Sequence, residues 1–264
     1  MGESPAAAPI AIVADTLGPP RWSTLLEMTR RHWLSVVIVF VGIGFASLTW
    51  VLTQPARPPG QWPSYFAWDP ATGALALPTS GPAANQSLIL EGWLDRAMPF
   101  VAPMAIPYLA ALLLCPVGVP LLTLSTGSWR RFLTLGSAMA LGGLVRTAGL
   151  LINHTLVVRD VDPSTVPLGW MADLVYKQDH LSMDGWPSGH AMWATMAIIA
   201  MWRMRSVMPR TAAIIIITMV LVYPATLMLR QHYLMDVYAG ALLGFAAYWA
   251  CMFVIERPVL QPTR

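Results

Sequence analysis

Charge is scarce in this chain. Only 11% of its residues are charged, against roughly 25% in an ordinary soluble domain. A water-soluble fold of 264 residues needs far more polar surface to cover its core, so this composition excludes one. Cysteine is nearly absent. Cys115 and Cys251 both fall in apolar runs, which argues against a disulfide framework or a cysteine metal knuckle. The net charge is +3, with Lys and Arg scattered through short segments. That lacks the basic stripe a nucleic-acid partner would require.

What is present is apolar: 56% of residues are hydrophobic. A hydrocarbon core about 30 Å thick takes roughly 20 such residues per helix. Runs of that kind occupy 33–53, 99–124, 131–152, 189–203, 209–229 and 236–256. The expected fold is therefore all-α, an integral membrane bundle of about six transmembrane helices. Pro103, Pro107, Pro116 and Pro120 predict that the second span is kinked or broken, which membrane helices tolerate when neighbours satisfy the freed backbone groups. The fourth span is short.

Lys and Arg set the direction. With the N-terminus inside, the inner segments hold Arg21, Arg30, Arg31, Arg130, Arg131, Arg203, Arg205, Arg210, Arg257 and Arg264. The outer ones hold Arg57, Arg96, Arg159, Lys177 and Arg230. This positive-inside bias predicts cytoplasmic termini. Residues 1–32 then form a cytoplasmic segment, 33–256 a single membrane domain, and 257–264 a tail. The loops 54–98 and 153–188 lie outside, and Ser87–Met98 could form a short amphipathic helix at the interface.

Two outer segments concentrate chemistry. In Trp186-Pro187-Ser188-Gly189-His190, Pro and Ser open a helix and Gly189 lets another group approach the backbone. The amides of such a helix start bind anions, and His190 beside them could donate a proton. The plainer alternative is a Ser188 cap with an interfacial histidine. In Arg230-Gln231-His232-Tyr233-Leu234-Met235-Asp236, His232 and Asp236 share a helix face. A carboxylate on one imidazole nitrogen leaves the other free to attack. Arg230 has a fork suited to phosphate oxygens. The plainer alternative is a structural His–Asp pair. Arg146 lies within the third span and needs an anionic partner or polar cavity there. Asn153 and His154 follow at its outer end. Lys177 is a further candidate, although it and Arg159 read more simply as solvated loop charges.

These residues resemble the type-2 phosphatidic acid phosphatase superfamily of membrane lipid phosphatases and phosphotransferases. Its second motif, Pro-Ser-Gly-His, stands complete at 187–190, and its third ends in His-x-x-x-Asp, matched by His232 and Asp236. The resemblance covers roughly residues 100–256. There are departures: Thr226 stands where the third motif has arginine, Arg230 being the substitute, and the first motif aligns only as Arg146 with Asn153-His154. The Arg-x-His-Tyr-x-x-Asp pattern is similar to the sphingomyelin and inositol-phosphorylceramide synthase branch.

The resemblance implies that His232 attacks phosphorus, Asp236 orients it, and His190 protonates the leaving group. Arg146, Arg230 and the amides of Ser188 and Gly189 would hold the phosphate. The substrate would be a lipid phosphate reaching an extracytoplasmic site from the bilayer, and no metal or cofactor would be required. Three other readings stay open. One is transfer of a phospho-headgroup to a lipid hydroxyl. Another is a metal centre built from His190, His232 and Asp236. The third is a transporter or non-catalytic scaffold, against which the absence of an internal repeat counts.

Overall fold

The fold comes from a computed structural model that describes residues 17–53, 68–69, 74–75, 87–88, 92–152, 154–155, 157, 161–178 and 186–256. At 47–53, 68–69, 74–75, 87–88, 151–152, 154–155 and 177–178 the description covers the backbone alone. Among the described residues the chain is helical, with strands only as two-residue pairs. Trp68–Asp69 runs antiparallel to Ala74–Leu75, and Ser87–Leu88 parallel to His154–Thr155. The helices are α1 (Trp22–Arg31), α2 (Trp33–Thr53), α3 (Trp93–Ala97), α4 (Ala105–Leu113), α5 (Val119–Ser125), α6 (Trp129–Ile152), α7 (Gly169–Gln178), α8 (Gly189–Met204), α9 (Pro209–Met228) and α10 (Leu234–Ile255).

Proline explains an irregularity in the second span, which runs unbroken from Ala102 to Ser125. A π-turn at Leu114–Gly118, centred on Pro116, separates α4 from α5. Pro116 has no N–H to give the preceding turn, and its ring clashes with that turn's carbonyl, so the helix widens there.

Four stretches are long and apolar enough to cross a membrane: Ala102–Ser125, Trp129–Leu150, Pro209–Met228 and Leu234–Ile255. The expectation of about six is thus met in part. The pair α1 and α2, bent by 94° at their junction, is a fifth candidate. Helix α8 has 16 residues and rises about 24 Å, less than the ~30 Å core. Its buried Ala191, Met192, Ala194, Met196, Ala197, Ala200, Met201 and Met204 nevertheless put it at the centre of the bundle. It packs there against α6, α9 and α10.

Contacts along the helices give their directions. Val39 and Ala46 of α2 meet Gly136 and Gly143 of α6, so these two are parallel. Ser188 and Met192 meet Gly240 and Gly244, so α8 and α10 are parallel too. Arg146 bonds the Pro187 carbonyl while Arg131 bonds the Arg203 carbonyl, which makes α6 antiparallel to α8. Tyr108 of α4 stacks on His190, whereas Ser125 of α5 accepts from the Arg21 N–H. Successive long helices therefore alternate in direction, and the starts of α8 and α10 share one end of the bundle.

Two local expectations change. The N-terminal segment holds a helix: α1 lies across the foot of the bundle, with Gly18 and Arg21 N–H groups on the Thr126 and Ser125 carbonyls at 3.1 and 3.2 Å. The helix expected over Ser87–Met98 shrinks to Trp93–Ala97, because Ser87–Leu88 pairs as extended chain with His154–Thr155.

Candidate active site

The start of α8 is built as its sequence suggests. Ser188 is the N-cap, its Oγ accepting from the Ala191 N–H at 3.3 Å and satisfying one of the helix's orphan donors. The Ser188 N–H is committed elsewhere, donating to the Asp236 carbonyl at 3.0 Å. A side chain at Gly240 could not coexist with this junction: a Cβ there would stand 2.2 Å from the Ser188 carbonyl oxygen. Glycine lets the two helix starts touch.

Arg146 reaches this start from α6. Its Nε donates to the Pro187 carbonyl at 2.9 Å, and the residue is 8% exposed. Gly189 accommodates it, since a Cβ there would meet Arg146 Nε at 3.0 Å and Cζ at 3.1 Å. A guanidinium thus lies close against the first residue of a helix whose dipole is positive at the same point. Both contributions favour negative charge at this point.

The corner between α9 and α10 carries the second segment. Helix α9 ends in a Schellman motif, the Arg230 N–H bonding the Leu227 carbonyl and the Gln231 N–H the Thr226 carbonyl, at 3.0 and 2.9 Å. Arg230 takes the left-handed position at φ 52°, where glycine is usual. His232 follows, with its N–H also on the Thr226 carbonyl at 3.2 Å. Asp236 sits in the first turn of α10 and accepts from the Tyr233 N–H at 2.9 Å.

His190 and His232 meet across this junction, their ring centroids 6.1 Å apart. His232 Nδ1 lies 3.9 Å from Asp236 Oδ2, with both residues buried. That separation exceeds a hydrogen bond, and the same carboxylate oxygen accepts the capping bond from Tyr233. A histidine pair, a buried carboxylate and a cation at a helix start suit attack on phosphorus. Residues 131–258 match the family model described as the PAP2 superfamily. They form a PAP2 superfamily domain. No curated protein and no solved structure matches the chain.

The PAP2 match begins in α6 and takes in Arg146, the 187–190 segment and the His232–Asp236 turn. It is shorter than the 100–256 that the sequence suggests, and α4 lies outside it. Members of this superfamily are phosphoesterases, and the match suggests phosphatase- or phosphotransferase-type activity on lipid phosphates for the matched residues. The apolar helices agree with an integral membrane protein.

Around the PAP2 residues the structure adds two that sequence reasoning missed. Tyr108 of α4 stacks on His190, centroids 4.0 Å apart and planes 27° from parallel. Asp95 of α3 is buried and accepts from the Leu234 N–H at 2.7 Å. Neither has a local signal, since each acts across a long stretch of sequence. Arg230 is placed differently from expectation: its Nη1 donates to the Asp95 carbonyl and its Nη2 to the Met98 carbonyl at 3.1 Å. Asn153 lies outside the described residues, as do the side chains of His154 and Lys177. Among the described residues no group of three or more His, Cys, Asp or Glu gathers as metal ligands.

Proposed function

We propose that this protein is a lipid phosphatase that hydrolyses a lipid phosphate or diphosphate, of the phosphatidic acid or polyprenyl diphosphate type, through a phosphohistidine on His232. The observation that carries this reading is the meeting of His190 and His232 beside Arg146 at the joined starts of α8 and α10. With Nδ1 of His232 turned to Asp236, its Nε2 lone pair attacks phosphorus in line, and the bond to the leaving oxygen breaks. Tightening of the His232–Asp236 contact on substrate binding is normal for such sites. His190 gives its proton to the departing oxygen. It then takes a proton from water, the oxygen attacks phosphorus, and the P–N bond breaks to release inorganic phosphate and restore His232. Electrostatic stabilisation of the equatorial oxygens falls to Arg146, the Gly189 amide and the Ser188 hydroxyl. Arg230, bound to the Asp95 and Met98 carbonyls, is left out of this set.

The positive-inside bias supports placing both termini in the cytoplasm and the site on the extracytoplasmic face. A lipid phosphate would then enter sideways from the outer leaflet. Purified protein should release inorganic phosphate from phosphatidic acid or a polyprenyl diphosphate with strong chelator present, and vanadate should block it. His232→Ala should lower this by a factor of at least about 10³ while expression is kept. Unchanged turnover would remove the assignment. Product that appears only when a lipid alcohol is supplied would instead identify the headgroup transferase suggested by the Arg-x-His-Tyr-x-x-Asp pattern.

A further inference from the structure

The short helix α3 lies outside the PAP2 match, yet it makes the contacts that hold the His232 turn. Asp95 is 6% exposed. Its Oδ2 accepts from the Gly92 N–H at 2.8 Å, fixing its own helix start, and its Oδ1 accepts from the Leu234 N–H at 2.7 Å. Leu234 is the first residue of α10, so this carboxylate caps from another segment the helix that carries Asp236. Arg230 closes the same clasp from the other side. Its guanidinium donates to the Asp95 and Met98 carbonyls at the C-terminal end of α3, where orphan acceptors and the negative helix end favour a cation. Nearby, the Val101 N–H bonds the Met228 carbonyl at 3.2 Å. His232 thus sits between two residues, Arg230 and Leu234, that are both tied to α3.

Backbone strain at Arg230 points the same way. A non-glycine residue at φ 52° is disfavoured, and such strain persists where the surroundings demand a particular side chain. Glycine would make the turn with less strain but could not reach the α3 carbonyls.

We infer that Asp95 is a positioning residue, part of an α3 clasp that holds His232 and Asp236 in register with His190. This rests on the phosphohistidine reading above. Small displacements of a reacting group have large kinetic effects, about a hundredfold for roughly 1 Å, so the clasp acts on the rate of chemistry more than on substrate affinity.

The test uses the full chain in detergent with dioctanoyl phosphatidic acid as substrate. Asp95→Ala should lower kcat by about ten- to a hundredfold, with KM changed less than about twofold. Amide exchange should quicken in the peptide spanning 230–237 and stay as in wild type elsewhere. Asp95→Asn keeps one acceptor, which serves the Leu234 N–H at the expense of the Gly92 N–H, and should recover part of both the turnover and the protection. Exchange at 230–237 unchanged in Asp95→Ala would overturn the proposal. So would faster exchange with unchanged turnover, or an Asn variant as impaired as the Ala variant. If Asp95→Ala does not fold, Arg230→Gly keeps the left-handed turn while removing the guanidinium, and its exchange at 230–237 is read by the same criterion. If the wild type leaves the substrate intact, the functional reading fails, and exchange alone decides whether α3 holds this segment.

Discussion

At the scale of single residues, several side chains answer to two demands. Asp236 caps α10 through Tyr233 and also stands 3.9 Å from His232. Its capping is the plainer role, and the catalytic one requires the two groups to close by about an ångström into hydrogen-bond range. Gly240 is a residue whose absent side chain matters, because the Ser188 carbonyl occupies the space a Cβ would take. Gly240→Val should cost about 1–3 kcal/mol through overpacking. It should lower turnover as well, since Ser188 and His190 ride on the displaced backbone. Thermal inactivation in detergent measures the first and phosphate release the second. A variant with wild-type values for both would mean that the α8–α10 contact is looser than described.

At the scale of elements, α8 and α10 are fastened at both ends. Opposite the histidines, the Arg203 Nη1 donates to Glu256 Oε1 at 2.8 Å and its Nη2 to Oε2, a bidentate pair. Arg203 also bonds the Tyr248 hydroxyl, and Arg131 bonds the Arg203 carbonyl, which brings α6 into the same knot. Burial pushes the Glu256 carboxyl up, but hydrogen bonding to Arg203 and the charges of Arg203 and Arg131 outweigh it. Its pKa is held below the ordinary carboxylate value. A carboxyl depressed in the folded state contributes stability above its unfolded pKa of about 4.3, and loses it as pH falls through the lowered value. The melting temperature should therefore drop on acidification below about pH 4. In Glu256→Gln it should be lower at neutral pH and show a weaker acid-side drop. An identical acid profile in wild type and variant would contradict this role.

The same elements show what could be read from sequence. Residues 33–53 coincide with the helix α2, the π segment falls at Pro116, and α8 opens at Ser188 as its cap predicts. Each is written in local periodicity, proline or capping chemistry. The register of α3 was not legible, because Asp95 and Leu234 are separated by 139 positions and only the tertiary fold joins them. Helix α1 escaped for a related reason. Its docking depends on backbone bonds to Ser125 and Thr126 and on His32 stacking 4.1 Å from Trp129.

At the scale of the whole molecule, long helices of alternating direction bring the starts of α8 and α10 to one end and the Arg203–Glu256 knot to the other. This follows from contacts such as Val39 on Gly136 and Arg146 on Pro187. The motif segments were legible as chemistry, and their shared end of the bundle followed from the alternation. The engagement of Arg230 with α3 was not legible, since a sequence gives the residue but not where its guanidinium is held. The PAP2 match makes lipid phosphate chemistry the frame for this end of the molecule, and within it the central claim is a covalent bond from phosphorus to His232. The direct measurement is to mix purified protein with phosphatidic acid labelled in its phosphate, quench in alkali, and map any protein-bound label. The account predicts an acid-labile, base-stable label on the peptide containing His232, absent in His232→Ala. Steady turnover with no label on the protein, or a label that survives in His232→Ala, would contradict it.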